Sequence, residues 1–310
     1  NIFTSSISSH TQVDGSDMAS YLERLFEVFN TPYDKRDSSL PNYLKDFPYV
    51  NGGLFRDKQP IPKFTTKSRN ILIEIGTLDW SEINPDIFGS MIQAVVTPEH
   101  RGDMGMHYTS VPNIMKVIQP LFLDELYEEF EKAKGYAKKL NLLHLRIQNI
   151  KFFDSACGSG NFLIISYKEI RKLEMLIFKE GGLLICPSIK LTQFYGIELD
   201  DFAHEVAILS LWLAEHQMNV LFKKEFGTVP PALPLQDGGN IVHGNATRLD
   251  WEKVCPKNIN DEIYILGNPP YLGFLQQNRI QKEDMDYVFA DRDTIRKLDY
   301  ISCWFYLGAK

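Results

Sequence analysis

Residues 150–162 read IKFFDSACGSGNF. A short apolar run, Ile150–Phe153, ends at Asp154; Gly158 and Gly160 follow, and an apolar helical pattern opens near Asn161. That order predicts a β-strand feeding a helix through a turn whose backbone can approach a ligand closely. The alternation then continues. Thr192–Ile197 reads as a second strand ending at Glu198, and 200–222 as a long apolar helix. Asn240–His243 is a third strand, and Ile263–Leu266 a fourth with Gly267 at its end. Strands separated by helices of this length predict an α/β fold with a parallel, Rossmann-like sheet and right-handed crossovers. Ligands bind such sheets outside the carboxyl ends of the strands, so the informative residues stand just after each one.

Working outward, residues 1–95 read as a helical N-terminal region and 96–310 as a separate α/β domain. Met18, Leu22, Leu25 and Phe26 share one helical face within 17–29, and 31–65 is irregular; 67–77 and 85–95 are again helical, with Pro85 allowed in a first turn. TPEHRGDMGMHYTS (97–110) is a polar loop. Ser110 is an expected N-cap, Pro112 lies just inside the helix, and the helical pattern runs on through 122–140. Residues 161–180 are helical as well.

Of the 310 residues, 44% are hydrophobic and 24% charged, which excludes a disordered chain. The 33 basic and 40 acidic residues give a net charge of −7, with no basic segment of the kind that grips nucleic acid by itself. Cys157, Cys186, Cys255 and Cys303 show no C-x-x-C spacing, so neither a zinc site nor a disulfide framework is expected, and free thiols fit the cytoplasm. No apolar run reaches the ~18 residues of a membrane span, so no membrane partner is expected. The chain begins at Asn1 and reads as a piece of something longer.

The strand ends carry the chemistry. Asp154, four residues before Gly158, suits a ligand ammonium group better than a phosphate. Glu198 is placed to accept from ribose hydroxyls, or is a solvated strand end, while Asp200 caps the next helix. Asn245, after the third strand, either meets the amino edge of an adenine or closes an Asx turn; Asp250 is the weaker candidate there. Gly267-Asn268-Pro269-Pro270-Tyr271 is the most specific signal. Two prolines fix the backbone, the Asn268 side chain and the Pro269 carbonyl are two acceptors for one amino group, and Tyr271 offers a face for stacking.

On these motifs the stretch from about 96 to 310 resembles the class I S-adenosylmethionine-dependent methyltransferases, specifically the DNA adenine-N6 enzymes. The order of an upstream segment, cofactor motif and then Asn-Pro-Pro-Tyr is similar to that of the gamma type. The 85–110 stretch and GNATRLDW (244–251) resemble the MmeI-like restriction–modification and phage-defence group. The resemblance implies Asn268, Pro269, Pro270 and Tyr271 as catalytic. It implies S-adenosylmethionine contacts from His107, Tyr108, Thr109, Asp154, Ala156, Cys157, Gly158, Gly160, Asn161, Phe162, Glu198, Leu199, Asn245 and Ala246, with no metal. Leu298–Leu307 is expected to be the helix that packs near the cofactor.

The implied reaction holds both hydrogens of a flipped-out adenine amine while the nitrogen attacks the sulfonium methyl in line. The implied partner is double-stranded DNA bearing the target adenine. Because the family's sheet has seven strands, the remaining strands and a target-recognition domain are expected in the parent chain, with a specificity subunit or nuclease domain as further partners. Residues 272–297 are polar and read as a loop, either solvated or closing over the base. Cys157 is expected to pack, and His204 and His216 to be core or surface residues. Two rivals remain open: an amine methyltransferase acting on protein glutamine or RNA, and a non-catalytic cofactor-binding subunit.

Overall fold

The computed structural model describes residues 2–50, 55, 58, 60–78, 87, 109–182, 184–227, 239–259, 261–290 and 297–310. The chain forms two compact units, Asn1–Ile83 with Ala232–Gln236, and Asn84–Pro231 with Asp237–Lys310. The helix expected over 85–95 lies outside the described residues. No helix among them is long and apolar enough to cross a membrane.

The first unit is helical: α1 (Ile2–His10), α2 (Met18–Phe29), α3 (Asn42–Lys45) and α4 (Thr66–Thr77). Ile7, Met18, Leu22, Leu25, Leu44 and Phe47 form its core. Two arginines replace regular structure where the chain is irregular. Arg36 donates to the carbonyls of Val28, Thr31, Lys45 and Phe47. Arg69 is buried and donates to Thr11 and to the carbonyls that end α1.

In the second unit α5 (Val111–Ile118), α6 (Asp124–Ala133) and α7 (Ala137–Asn149) lead into β1 (Lys151–Asp154). Then come α8 (Asn161–Lys179), β2 (Phe194–Glu198), α9 (Asp201–Phe226), β3 (Asn240–His243), α10 (Trp251–Val254), β4 (Ile263–Ile265), α11 (Arg279–Val288) and α12 (Ser302–Gly308). The strands pair in parallel in the order β3-β2-β1-β4. All four carboxyl ends therefore open on one edge. Phe152 pairs in register with Phe194 and Tyr264, and its ring stacks on Phe194 at 4.9 Å and meets Phe122 at 5.0 Å. Phe153 faces the opposite layer, edge-on to Trp251 of α10. Alternate side chains of one strand thus serve both apolar layers, as a sheet covered on both faces requires.

Four expectations are corrected. The helix over 122–140 breaks at Gly135, which sits at φ +75°, so α6 and α7 are separate. Just before α6, Pro120 lies in a π-helical turn, Gln119–Leu123, because its missing N–H interrupts the ordinary hydrogen-bond ladder. Ser110 stands at the N-cap position, yet its side chain makes no capping hydrogen bond. The loop over 272–297 contains α11, opened by a reciprocal Asn278/Gln281 capping box. Its inner face is Gln281, Asp284, Met285 and Val288; two of those four are polar, which hides the helical period from a hydrophobicity reading. Elsewhere among the described residues the expected elements are present, and Asp200 caps α9 by accepting from Ala203 N at 2.8 Å.

Phe152 is fully buried at the centre of the sheet. Phe152→Ala should cost about 3–5 kcal/mol in chemical denaturation; a loss below about 1 kcal/mol would contradict this packing.

Candidate active site

β1 ends on Asp154, which is 1% exposed and accepts from Ala156 N at 3.0 Å. The turn carries Gly158 and Gly160 at φ +55° and +84°, and Gly160 caps the start of α8. A side chain at Gly158 would meet nothing within 4 Å, so the backbone there faces open space. Asn161 and Phe162 are buried in the first turn of α8. The Cys157 thiol is buried, would touch a side chain at Gly196, and is held well above its ordinary value by burial. This is the packing role expected of it.

Glu198 ends β2 and ties the site together. Its carboxylate accepts from Gly158 N at 2.7 Å and from Asp200 N at 2.8 Å. It is 8% exposed, so it is not a solvated strand end. Leu199 beside it is exposed, and its carbonyl takes His243 Nε2. Burial pushes the Asp154 carboxyl up to about 7, with the Glu198 charge adding to the effect. Burial also raises Glu198, against the backbone N–H groups of Asp200, Gly158 and Leu199 that lower it. Among the described residues no cationic side chain pairs with either acid. Two adjacent buried carboxylates without a counter-charge suit a cationic ligand.

Asn245 closes an Asx turn after β3: Oδ1 accepts from Thr247 N at 2.9 Å and Oγ1 at 2.7 Å. Its Nδ2 donates to Asp284 at 2.9 Å. Ala246 is buried beside Phe153 and Ile197. Asp250 caps α10.

β4 delivers Gly267-Asn268-Pro269-Pro270-Tyr271 next to this pair of acids. A Cβ at Gly267, where φ is +142°, would sit 2.3 Å from Asp154 Oδ1, so only glycine lets the two strand ends meet. Asn268 is exposed, and its Nδ2 donates to Thr109 Oγ1 at 3.2 Å. With the amide nitrogen so engaged, Oδ1 is the Asn268 atom that can accept from an amine. Tyr271 is 56% exposed. His107 and Tyr108 lie outside the described residues. α12 approaches from the far side, where Trp304 Nε1 donates to the Ser155 carbonyl at 3.3 Å. Asp284 and Trp304 were not legible in the sequence as site residues. Asp284 is an ordinary helical acid until its burial is seen, and the Leu298–Leu307 pattern points only to the helix that carries Trp304.

Comparisons with known proteins agree with the fold. The MmeI DNA-methyltransferase domain family matches residues 130–310, more than half of the chain, and the MmeI helicase spacer domain family matches residues 1–55. DNA methyltransferase A of Bacillus subtilis (strain 168) is 53% identical over 100% of this chain and 36% of its own length. The type II restriction enzyme and methyltransferase RM.Eco57I of Escherichia coli is 27% identical over 46% of this chain and 16% of its own. A solved structure of the Type IIL restriction–modification enzyme MmeI in complex with DNA superposes with a TM-score of 0.84 at 40% identity, covering 99% of this chain and 42% of that one. The chain thus spans well under half the length of these relatives.

The buried acid has a signature. Asp154 titrates near 3.8 when unfolded and about 7 when folded. Between those values the folded chain holds a proton that the unfolded chain has released, so this group lowers stability as pH rises from about 4 to about 7. Asp154→Asn should flatten that slope by about one proton in denaturation series across pH; an unchanged slope would contradict the burial argument.

Proposed function

The chain belongs to the MmeI DNA-methyltransferase domain family, and on that premise we propose that the protein carrying it is a site-specific DNA methyltransferase. In this reading it transfers a methyl group from S-adenosylmethionine to the N6 amine of a flipped-out adenine, as part of a restriction–modification or phage-defence system. Residues 96–310 are the catalytic domain and 1–95 an accessory helical region. The supporting observation is the meeting of two strand ends: the Asn268-Pro269 acceptors lie directly after Gly267, which abuts the buried Asp154 carboxylate. An amine-gripping motif and a buried acidic pocket share one sheet edge.

The residues present fit the cofactor. Among the described residues no cationic side chain pairs with the buried acids, and the Gly158 backbone faces open space. Asp154, Ala156, Cys157, Gly158, Gly160, Asn161 and Phe162 would surround its amino-acid end, with His107, Tyr108 and Thr109 on the carboxylate side. Glu198 and Leu199 would meet its ribose, and Asn245 and Ala246 its adenine. When bound, S-adenosylmethionine supplies an electrophilic methyl group on a sulfonium.

The chain's own residues then act on the amine. Thr109 fixes the Asn268 amide so that Oδ1 accepts one amine hydrogen, and the Pro269 carbonyl, rigid because two prolines follow one another, accepts the other. Withdrawing those hydrogens from the ring plane turns the nitrogen lone pair toward the methyl carbon, so positioning and electrostatics carry most of the rate. Pro270 holds the turn, and Tyr271 stacks on the flipped base, offsetting part of an unstacking cost of a few kcal/mol.

Two measurements on the full-length protein test this. Asn268→Ala should abolish transfer of labelled methyl groups to adenine in DNA while calorimetric affinity for S-adenosylhomocysteine stays within about threefold of wild type; retained turnover would remove Asn268 from catalysis. Glu198→Ala should weaken that affinity by tenfold or more, on the order of one charge-assisted hydrogen bond. Methylation of protein or RNA in place of DNA would overturn the substrate assignment.

A further inference from the structure

Asp284 is a buried charge that the mechanism above does not use. It lies on α11, 1% exposed, and takes three donors from two other segments: Asn245 Nδ2 at 2.9 Å and Arg248 Nε at 2.6 Å from the turn after β3, and the Tyr300 hydroxyl at 2.7 Å. A carboxylate only accepts, and the peptide N–H of Thr247 only donates. Asn245 stands between the two, with Oδ1 on Thr247 and Nδ2 on Asp284. Its amide is therefore fixed from both sides. Both lone pairs of Oδ1 are taken by the Thr247 N–H and hydroxyl, and one Nδ2 hydrogen is committed. What the side chain has left for a ligand at the end of β3 is one donor.

We propose that Asp284 is a positioning residue for the adenine end of the cofactor site. Through Asn245 it presents the cofactor's base with a hydrogen-bond donor, which selects a ring nitrogen and not the exocyclic amino group. The inference rests on the cofactor reading above. It also accounts for an amide at position 245, since a carboxylate there would stand about 3 Å from a buried carboxylate.

The test uses the full-length protein, S-adenosylhomocysteine as probe, calorimetry for affinity and thermal melting for fold. Asn245→Asp alone sets two carboxylates together and should lower the melting temperature. The exchange N245D/D284N keeps the charge and, with the Tyr300 hydroxyl turned to accept from the new amide at 284, the number of hydrogen bonds: the new carboxylate still accepts from Thr247 and now accepts from that amide. It should melt as wild type yet bind about tenfold more weakly or worse, because the ligand meets an acceptor. Wild type should lose a similar factor toward one of the three probe analogues whose adenine carries carbon in place of nitrogen 1, 3 or 7. The exchange variant should lose nothing more toward that analogue. An exchange variant that binds as wild type, an Asn245→Asp variant that melts as wild type, or wild-type indifference to all three analogues overturns the proposal and leaves the cofactor reading standing. No binding of the probe by wild type overturns both.

Discussion

The carboxylate of Glu198 holds the site in shape. One oxygen accepts from Gly158, forty residues earlier in the chain, and the other from Asp200 at the head of the next helix. The turn after β1 therefore hangs from the tip of β2, with Gly158 facing open space. Behind it Asp154 is sealed in by Gly267 from β4. Three adjacent strand tips are locked together by one acid that accepts hydrogen bonds and one glycine that lacks a side chain. Neither acid has a cationic partner among the described residues. That arrangement is unfavourable by itself, and it becomes favourable when a cationic ligand arrives. The parallel sheet makes this possible, because it brings every strand tip to one edge.

Much of this was legible in the sequence, for physical reasons. A strand buried on both faces reads as an apolar run, as β1 and β2 do, and a helix covering it reads at helical spacing, as α8 and α9 do; β3 and β4 are only partly buried but keep short apolar runs between turn residues. The glycines near Asp154 and the two prolines after Asn268 restrict the backbone so strongly that few structures accommodate them. The sequence was silent where the controlling contact is long-range or polar. α11 carries Gln281 and Asp284 on its inner face, so it has no apolar stripe. Thr109 and Asn268 are 159 residues apart, and only the fold shows that they meet. Gly135 splits a stretch that keeps its helical period on both sides. The Asx turn at Asn245 became visible only through its Thr247 contacts.

Polar residues outside the motifs are equally informative about how the fold presents its site. Arg146 gathers Glu125, Glu129 and Glu262, joining α6, α7 and the start of β4. Inside α8, Arg171 and Glu174 form a buried pair at 3.1 Å, and Glu174 accepts from Ser188 and Ile189. None of these residues lies among the strand-tip groups described above. They fix the helices against the sheet, so that the strand tips can be given over to glycine and proline turns and to buried acids that cost stability.

The proposed methyl transfer to an adenine amine in DNA leaves a mark that can be read in a cell. The most direct test expresses the full-length protein in a host without adenine methylation of its own and sequences the host DNA by a method that reads N6-methyladenine. Modified adenine is expected at one defined sequence motif in essentially every copy of the genome. Unmodified DNA from cells holding folded, cofactor-binding protein would contradict it.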